Sequence, residues 1–218
     1  MKVIIALLSA VVMVLPIRVE AQIWNFGAEA GYVSNTLAVS EYESSARSGF
    51  RVGADAVLTL PGRVVFESGV AYVRKGAATC GKNMFGSAVS SVKFAEMNYL
   101  QIPLMAGYSV ALGRGFSLRP MAGGYFAVGA GGHSFVTGTD AFGQPFTARV
   151  STFGGADGIP YRPCNRVDAG LSIAFSAAYR HISLKAGYDL GLANTSYYGN
   201  GKQRTVSLSV IYYIHDTQ

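Results

Sequence analysis

Ile182-Ser183-Leu184-Lys185-Ala186-Gly187-Tyr188-Asp189-Leu190-Gly191-Leu192 alternates at every step. Even positions carry Ile, Leu, Ala, Tyr, Leu and Leu. Odd positions carry Ser, Lys, Gly, Asp and Gly. Successive side chains of an extended chain point to opposite faces, so this is a strand with one bulky apolar face and one small polar face. A soluble eight-stranded barrel puts bulky residues inside and charges outside. Here the second face holds only small residues and isolated charges of both signs. That suits a narrow lumen, and the bulky face suits lipid.

The pattern recurs along the chain. Val206, Leu208, Val210, Tyr212 and Ile214 oppose Thr205, Ser207 and Ser209. Val167, Ala169, Leu171, Ile173 and Phe175 oppose Asp168, Gly170, Ser172 and Ser176. Phe50, Val52, Ala54, Ala56 and Leu58 oppose Arg51, Gly53, Asp55 and Thr59. Strands are predicted over 22–33, 48–60, 63–75, 97–111, 115–130, 166–178, 181–193 and 203–214. Tight turns join them at Leu60-Pro61-Gly62-Arg63, Leu112-Gly113-Arg114-Gly115 and Tyr179-Arg180-His181. The other connections, 34–47, 76–96, 131–165 and 194–202, are long. Short and long alternate strictly. The prediction is an all-β fold: an eight-stranded antiparallel up-and-down transmembrane β-barrel with four long extracellular loops and three short periplasmic turns.

Composition agrees. Of 218 residues, 50% are hydrophobic and 14% charged, with 27 Gly, 13 Tyr and 12 Phe. Ordinary soluble domains carry about 25% charge. Lys2, the apolar run Val3 to Pro16 and the small residues of Val19-Glu20-Ala21 read as a signal peptide over 1–21, cleaved before Gln22. The apolar core is shorter than the roughly 20 residues a spanning helix needs. Residues 22–218 are then the barrel domain, an integral protein of the bacterial outer membrane. Its implied partners are outer-membrane lipid and, during biogenesis, the barrel assembly machinery. The formal net charge of +6 is scattered, which suits solvated loops rather than nucleic acid.

The polar faces supply a candidate lumen charge network: Arg51, Asp55, Glu67, Arg119, Asp168, Lys185 and Asp189. Charge in a tight lumen must pair, so the expectation is a structural plug, with a gated ion path as its rival. Pro103 and Pro120 inside strands mark bulges or gaps in the ladder. Trp24, Tyr32, Phe50, Tyr72, Tyr99, Phe116, Tyr179, Tyr188, Tyr212 and Tyr213 are candidates for the aromatic girdles. In an exported chain Cys80 and Cys164 predict a disulfide tying loop 76–96 to loop 131–165. Loops 76–96 and 131–165 could contact an envelope protein or a glycan, and the aromatics of the second, Phe135, Phe142, Phe146, Phe153 and Tyr161, could equally pack as a lid.

Catalysis finds little support. His133 and Ser134, with Asp140 to orient the base, form the best candidate hydrolase set, yet adjacent strand residues face opposite ways. Two Cys and three dispersed His match no metal-ligand spacing. Gly123-Gly124 and Gly129-Ala130-Gly131-Gly132 lack the helix a nucleotide loop needs. No catalytic, cofactor-binding or metal residue is assigned, and no cofactor is expected.

Ser48-Gly49-Phe50-Arg51-Val52-Gly53, Lys75-Gly76, Asn98-Tyr99-Leu100-Gln101-Ile102-Pro103-Leu104 and Ala186-Gly187-Tyr188-Asp189-Leu190-Gly191-Leu192 together resemble the PorT-like outer-membrane β-barrel family of Bacteroidetes-type bacteria. Gln101 stands where that family's pattern has Glu. The resemblance implies the fold and the location, and it adds a part in envelope protein secretion as one possible activity. The residues favour a non-enzymatic structural or binding role. A narrow pore and a soluble periplasmic lipocalin-like barrel remain as alternatives.

Overall fold

The computed structural model describes residues 23–39, 43–84, 89–139, 142–154, 164–195 and 200–214. The strands are β1 (Ile23–Val39), β2 (Glu43–Thr59), β3 (Val64–Met84), β4 (Val89–Tyr108), β5 (Val110–Gly113), β6 (Phe116–Gly131), β7 (His133–Thr139), β8 (Pro145–Ser151), β9 (Val167–Tyr179), β10 (Ile182–Gly191) and β11 (Gly201–Tyr213). Eight of them form a closed antiparallel ring. The order β6-β9-β10-β11-β1-β2-β3-β4 ends where it began, because β4 also pairs with β6. β5 continues β4 beyond Ser109. β7 and β8 leave the ring as a hairpin whose first strand pairs with the start of β4.

The faces follow the alternation. Leu104, Ile173, Leu184, Val206 and Val210 point outwards and are exposed, while Asp55, Glu67, Asp168, Ser183 and Lys185 point inwards and are buried. The apolar exterior is what a hydrocarbon solvent selects, and closure leaves no unpaired edge within the ring. Two expected girdle residues turn the other way. Tyr99 and Tyr213 are fully buried in the lumen, because their positions share the inward parity of Gln101 and Ile211.

Two expected long loops are mostly strand. β1 and β2 stay paired as far as Asn35 and Arg47, and β3 and β4 as far as Met84 and Val89. The outward face loses its bulky apolar residues beyond the lipid band, at Ser34, Thr36, Ser48 and Arg74, but backbone hydrogen bonding continues, so the pattern understates strand length. Loop 131–165 carries the β7–β8 hairpin. The expected leader over 1–21 with its expected cleavage site, Asp140 and Tyr161 lie outside the described residues.

The prolines mark gaps rather than bulges. Around Pro103 the β3–β4 ladder skips from Ser68↔Leu104 to Ala71↔Gln101 without changing register. Ser68 Oγ donates to the Pro103 carbonyl at 2.9 Å in that gap. The β4–β6 ladder stops at Gly107↔Met121, one residue short of Pro120. Pairing resumes in the same register at Val110↔Leu118, so the residue without N–H leaves a gap there.

Candidate functional site

The lumen is filled in layers. Near the short turns, Val57, Val65, Ile211 and Tyr213 form an apolar floor, with the Arg119 guanidinium 5.7 Å from the Tyr213 ring centre. Above it Lys185 gathers carboxylates from three strands. Its Nζ lies 2.9 Å from Glu67 Oε1, 3.0 Å from Asp55 Oδ2 and 3.5 Å from Glu29 Oε1. Arg51 Nε donates to Glu29 Oε2 at 2.9 Å. All five side chains are buried. Each ion would cost several kcal/mol to bury alone, so the cluster is held by attraction between its two cations and three carboxylates.

Next comes Asp189, which accepts from Gln101 Nε2 at 2.9 Å and from Ser172 Oγ at 2.6 Å. An amide suits position 101 because it can donate; a glutamate would set two carboxylates against each other. A cavity of about 30 Å³ lies against Arg51, Glu67, Gln101, Lys185 and Asp189. Such a space admits a water molecule but not a hydrated ion.

A second charged pair lies nearer the long loops. Lys75 Nζ is 3.5 Å from Asp168 Oδ2, with both side chains wholly buried. The ammonium sits 5.3 Å from the ring centres of both Tyr99 and Tyr125. Tyr125 donates its hydroxyl to Asp168 at 3.0 Å, and Gln203 Nε2 donates to the Tyr99 oxygen at 2.9 Å.

Over this pair lies an apolar cluster of Leu37, Met97, Val136, Val150, Phe153 and Cys164. Phe153, from the segment after β8, folds into the mouth and meets Tyr99 edge-on, ring centres 5.2 Å apart. Gly129 makes room for it, since a Cβ there would come within 2.7 Å of the Phe153 ring. The expected bridge to Cys80 does not form: Cys164 is a free thiol. Its Sγ is turned into the barrel mouth, 3.9 Å from Met97 Sδ, because the backbone of Cys164 is tied to Thr152 and faces the cluster. Burial pushes this thiol above its ordinary range, with Asp168 adding to the effect.

The expected charge network therefore divides. Arg51, Asp55, Glu67 and Lys185 meet in one cluster, Asp189 lies above it, Asp168 belongs to the upper pair and Arg119 to the floor. Glu29 and Lys75, absent from the expected set, are central to the two clusters. Both were readable by parity: Glu29 opposes Phe26, Ala28 and Ala30, and Lys75 continues the face of Glu67, Ala71 and Val73.

The hydrolase candidates diverge. Ser134 is buried with its Oγ 2.9 Å from Thr152 Oγ1, while His133 Nδ1 points outwards, 3.6 Å from Glu96 Oε2. The hairpin's other face is open. Lys93, Phe135 and Arg149 are direct cross-strand partners on β4, β7 and β8, and all three are exposed. Phe142 at the tip is 89% exposed and Phe146 38%.

A closed ring with an apolar exterior and a polar, packed lumen is the architecture of one known group of proteins, and residues 20–197 match the family model described as outer membrane protein beta-barrel domain. The chain belongs to that family. Similar solved barrels include Ail, the attachment invasion locus protein of Yersinia pestis (13% identity, TM-score 0.41, 87% of this chain and 98% of that one). Neisserial surface protein A has 14% identity and a TM-score of 0.43, over 86% of this chain and 96% of its own. OprG from Pseudomonas aeruginosa has 12% identity and a TM-score of 0.47, over 89% and 97%. No curated protein matches. As an outer-membrane barrel, the molecule presents its apolar exterior to lipid, its short turns to the periplasm and its hairpin to the outside.

Proposed function

We propose that this outer-membrane barrel is a sealed, non-enzymatic anchor whose hairpin binds an anionic glycan at the cell surface. The observation that carries the reading is the row Lys93, Phe135 and Arg149. Cross-strand partners lie side by side, so an aromatic ring is held between two cations on a rigid sheet. A flat ring covers the apolar face of a sugar, and flanking cations pair with sulfate, phosphate or carboxylate. The sealed lumen and the diverging His133 and Ser134 direct attention to this surface rather than to the interior. Anionic sugars occur both on partner cells and in the outer leaflet's own lipopolysaccharide, so the test has two arms.

The purified barrel is expected to be retained on immobilised heparin or on purified lipopolysaccharide. Phe135→Ala is expected to weaken the retained interaction about tenfold, as removal of a central aromatic anchor does. Unchanged retention in Phe135→Ala, Lys93→Ala and Arg149→Ala would discard the surface. Steady conductance in planar bilayers would put the narrow pore first. Co-purification with secretion components would favour the translocation role that the PorT-like resemblance suggests.

A further inference from the structure

Three described non-glycine residues have positive φ: Arg63 at 67°, Arg114 at 54° and Arg180 at 52°. Each occupies a different one of the three short turns. The left-handed conformation costs an ordinary side chain on the order of 1 kcal/mol, which Gly avoids and Asn reduces. Gly62, Gly113 and Gly115 stand beside two of these arginines, so glycine is already used in the same turns. An arginine nonetheless takes the strained position each time, and all three are exposed.

Backbone hydrogen bonds fix the spacing of these turns around one rim. Ser109 N donates to Arg63 O at 2.8 Å, Arg180 N to Gly115 O at 3.1 Å and Tyr213 N to His181 O at 2.7 Å. Aromatics follow immediately on the lipid side. Trp24 stacks with Phe26, Phe116 packs on Tyr179 at 4.4 Å, and Tyr212 stacks with His181. The Arg180 guanidinium lies 5.4 Å from the Tyr179 ring centre. Among the described residues no Asp or Glu lies within 57–66, 106–118 or 177–184. Towards the rim the exterior thus passes from aliphatic to aromatic to cationic, which is the polarity profile of a leaflet from its tails to its phosphates.

We propose that Arg63, Arg114 and Arg180 form a collar that binds the phosphates of anionic phospholipid headgroups in the periplasmic leaflet. Guanidinium groups pair with phosphate through two parallel N–H donors, which a ring of turn-tip arginines can offer without a formed pocket. The surface continues the lipid-facing band, so its occupant is the lipid already touching the aromatics.

The test replaces Arg63, Arg114 and Arg180 by Asn together, since Asn tolerates the left-handed turn and preserves the fold. Heat-dependent gel mobility checks folding, and a triple Gly variant substitutes if the Asn variant fails. The apparent affinity of the reconstituted barrel for phosphatidylglycerol, against a phosphatidylcholine background, is measured beside a triple Asn variant of Arg166, Lys202 and Arg204, three exposed cations towards the opposite rim. A charge near an anionic surface contributes about a fivefold factor, so the short-turn triple is expected to lose on the order of a hundredfold. Added salt should erase the difference. An equal affinity in wild type and short-turn triple, or an equal loss in both triples, overturns the proposal. So does unchanged lipid affinity with lost binding to isolated peptidoglycan, which would assign the collar to the cell wall.

Discussion

The two halves of the lumen are filled by different physics. In the half near the short turns, Lys185, Arg51, Glu29, Asp55 and Glu67 hold one another by charge. In the half near the hairpin, one pair, Lys75 and Asp168, lies under an apolar cap of Leu37, Met97, Phe153 and Cys164. The lower cluster is built wholly from side chains of barrel strands, whose register is fixed by the ladder. The cap borrows Phe153 and Cys164 from segments outside the ring. A charge cluster tolerates little misplacement and needs rigid walls, whereas an apolar cap adapts to a loop. The lower half should therefore fail as a unit with the barrel, and the upper half should open locally.

The largest expected effect is that of Lys185→Met. It would leave three carboxylates facing Arg51, and breaking such a buried set costs about 3–5 kcal/mol. The urea midpoint of the heat-modifiable band should fall accordingly, and adding Glu67→Gln should recover part of the loss. A Lys185→Met barrel of unaltered stability would mean that charge does not hold the lower half, and the contrast would be lost.

Phe153→Ala should act more locally. The barrel's urea midpoint is expected to move little, because sub-global opening of a peripheral segment need not cost the whole fold. Alkylation of Cys164, measured by mass in a Cys80→Ser background, should accelerate about tenfold or more. Only the thiolate reacts, and in the native protein burial both covers the thiol and keeps it protonated. An equal alkylation rate in both proteins would show that Phe153 is no cap.

The smallest effect belongs to the pair outside both halves. Arg74 Nη2 and Glu96 Oε1 are 2.6 Å apart, but the side chains are 43% and 34% exposed. Exposed pairs contribute about 0.2–1 kcal/mol, so Arg74→Ala should shift the urea midpoint by no more than that. A loss as large as that of Lys185→Met would break the link between burial and strength on which the comparison rests.

Much of this was legible in the residues. The alternation in 182–192 and its counterparts determined strand parity, and parity alone places Arg51, Asp55, Glu67, Asp168 and Lys185 on the inner face. The same rule applied to Glu29 and Lys75 would have completed both clusters. It also contradicted the girdle assignment of Tyr99 and Tyr213, which rested on residue type alone. What parity could not supply was partner choice. Which carboxylate meets Lys185 depends on strands far apart in the chain, 130 residues apart for Asp55, and on the stagger of the closed ring. The fate of Cys164 was equally hidden. Two cysteines in an exported chain suggest a bridge, but the direction of one loop backbone turns Cys164 inwards to Met97. The sequence by itself determined the barrel, its lipid face and the polarity of its lumen, because a strand's period of two is local. Only the tertiary structure decided the pairings, the cap and the open row on the hairpin, because these arise where distant strands are brought into register by closure.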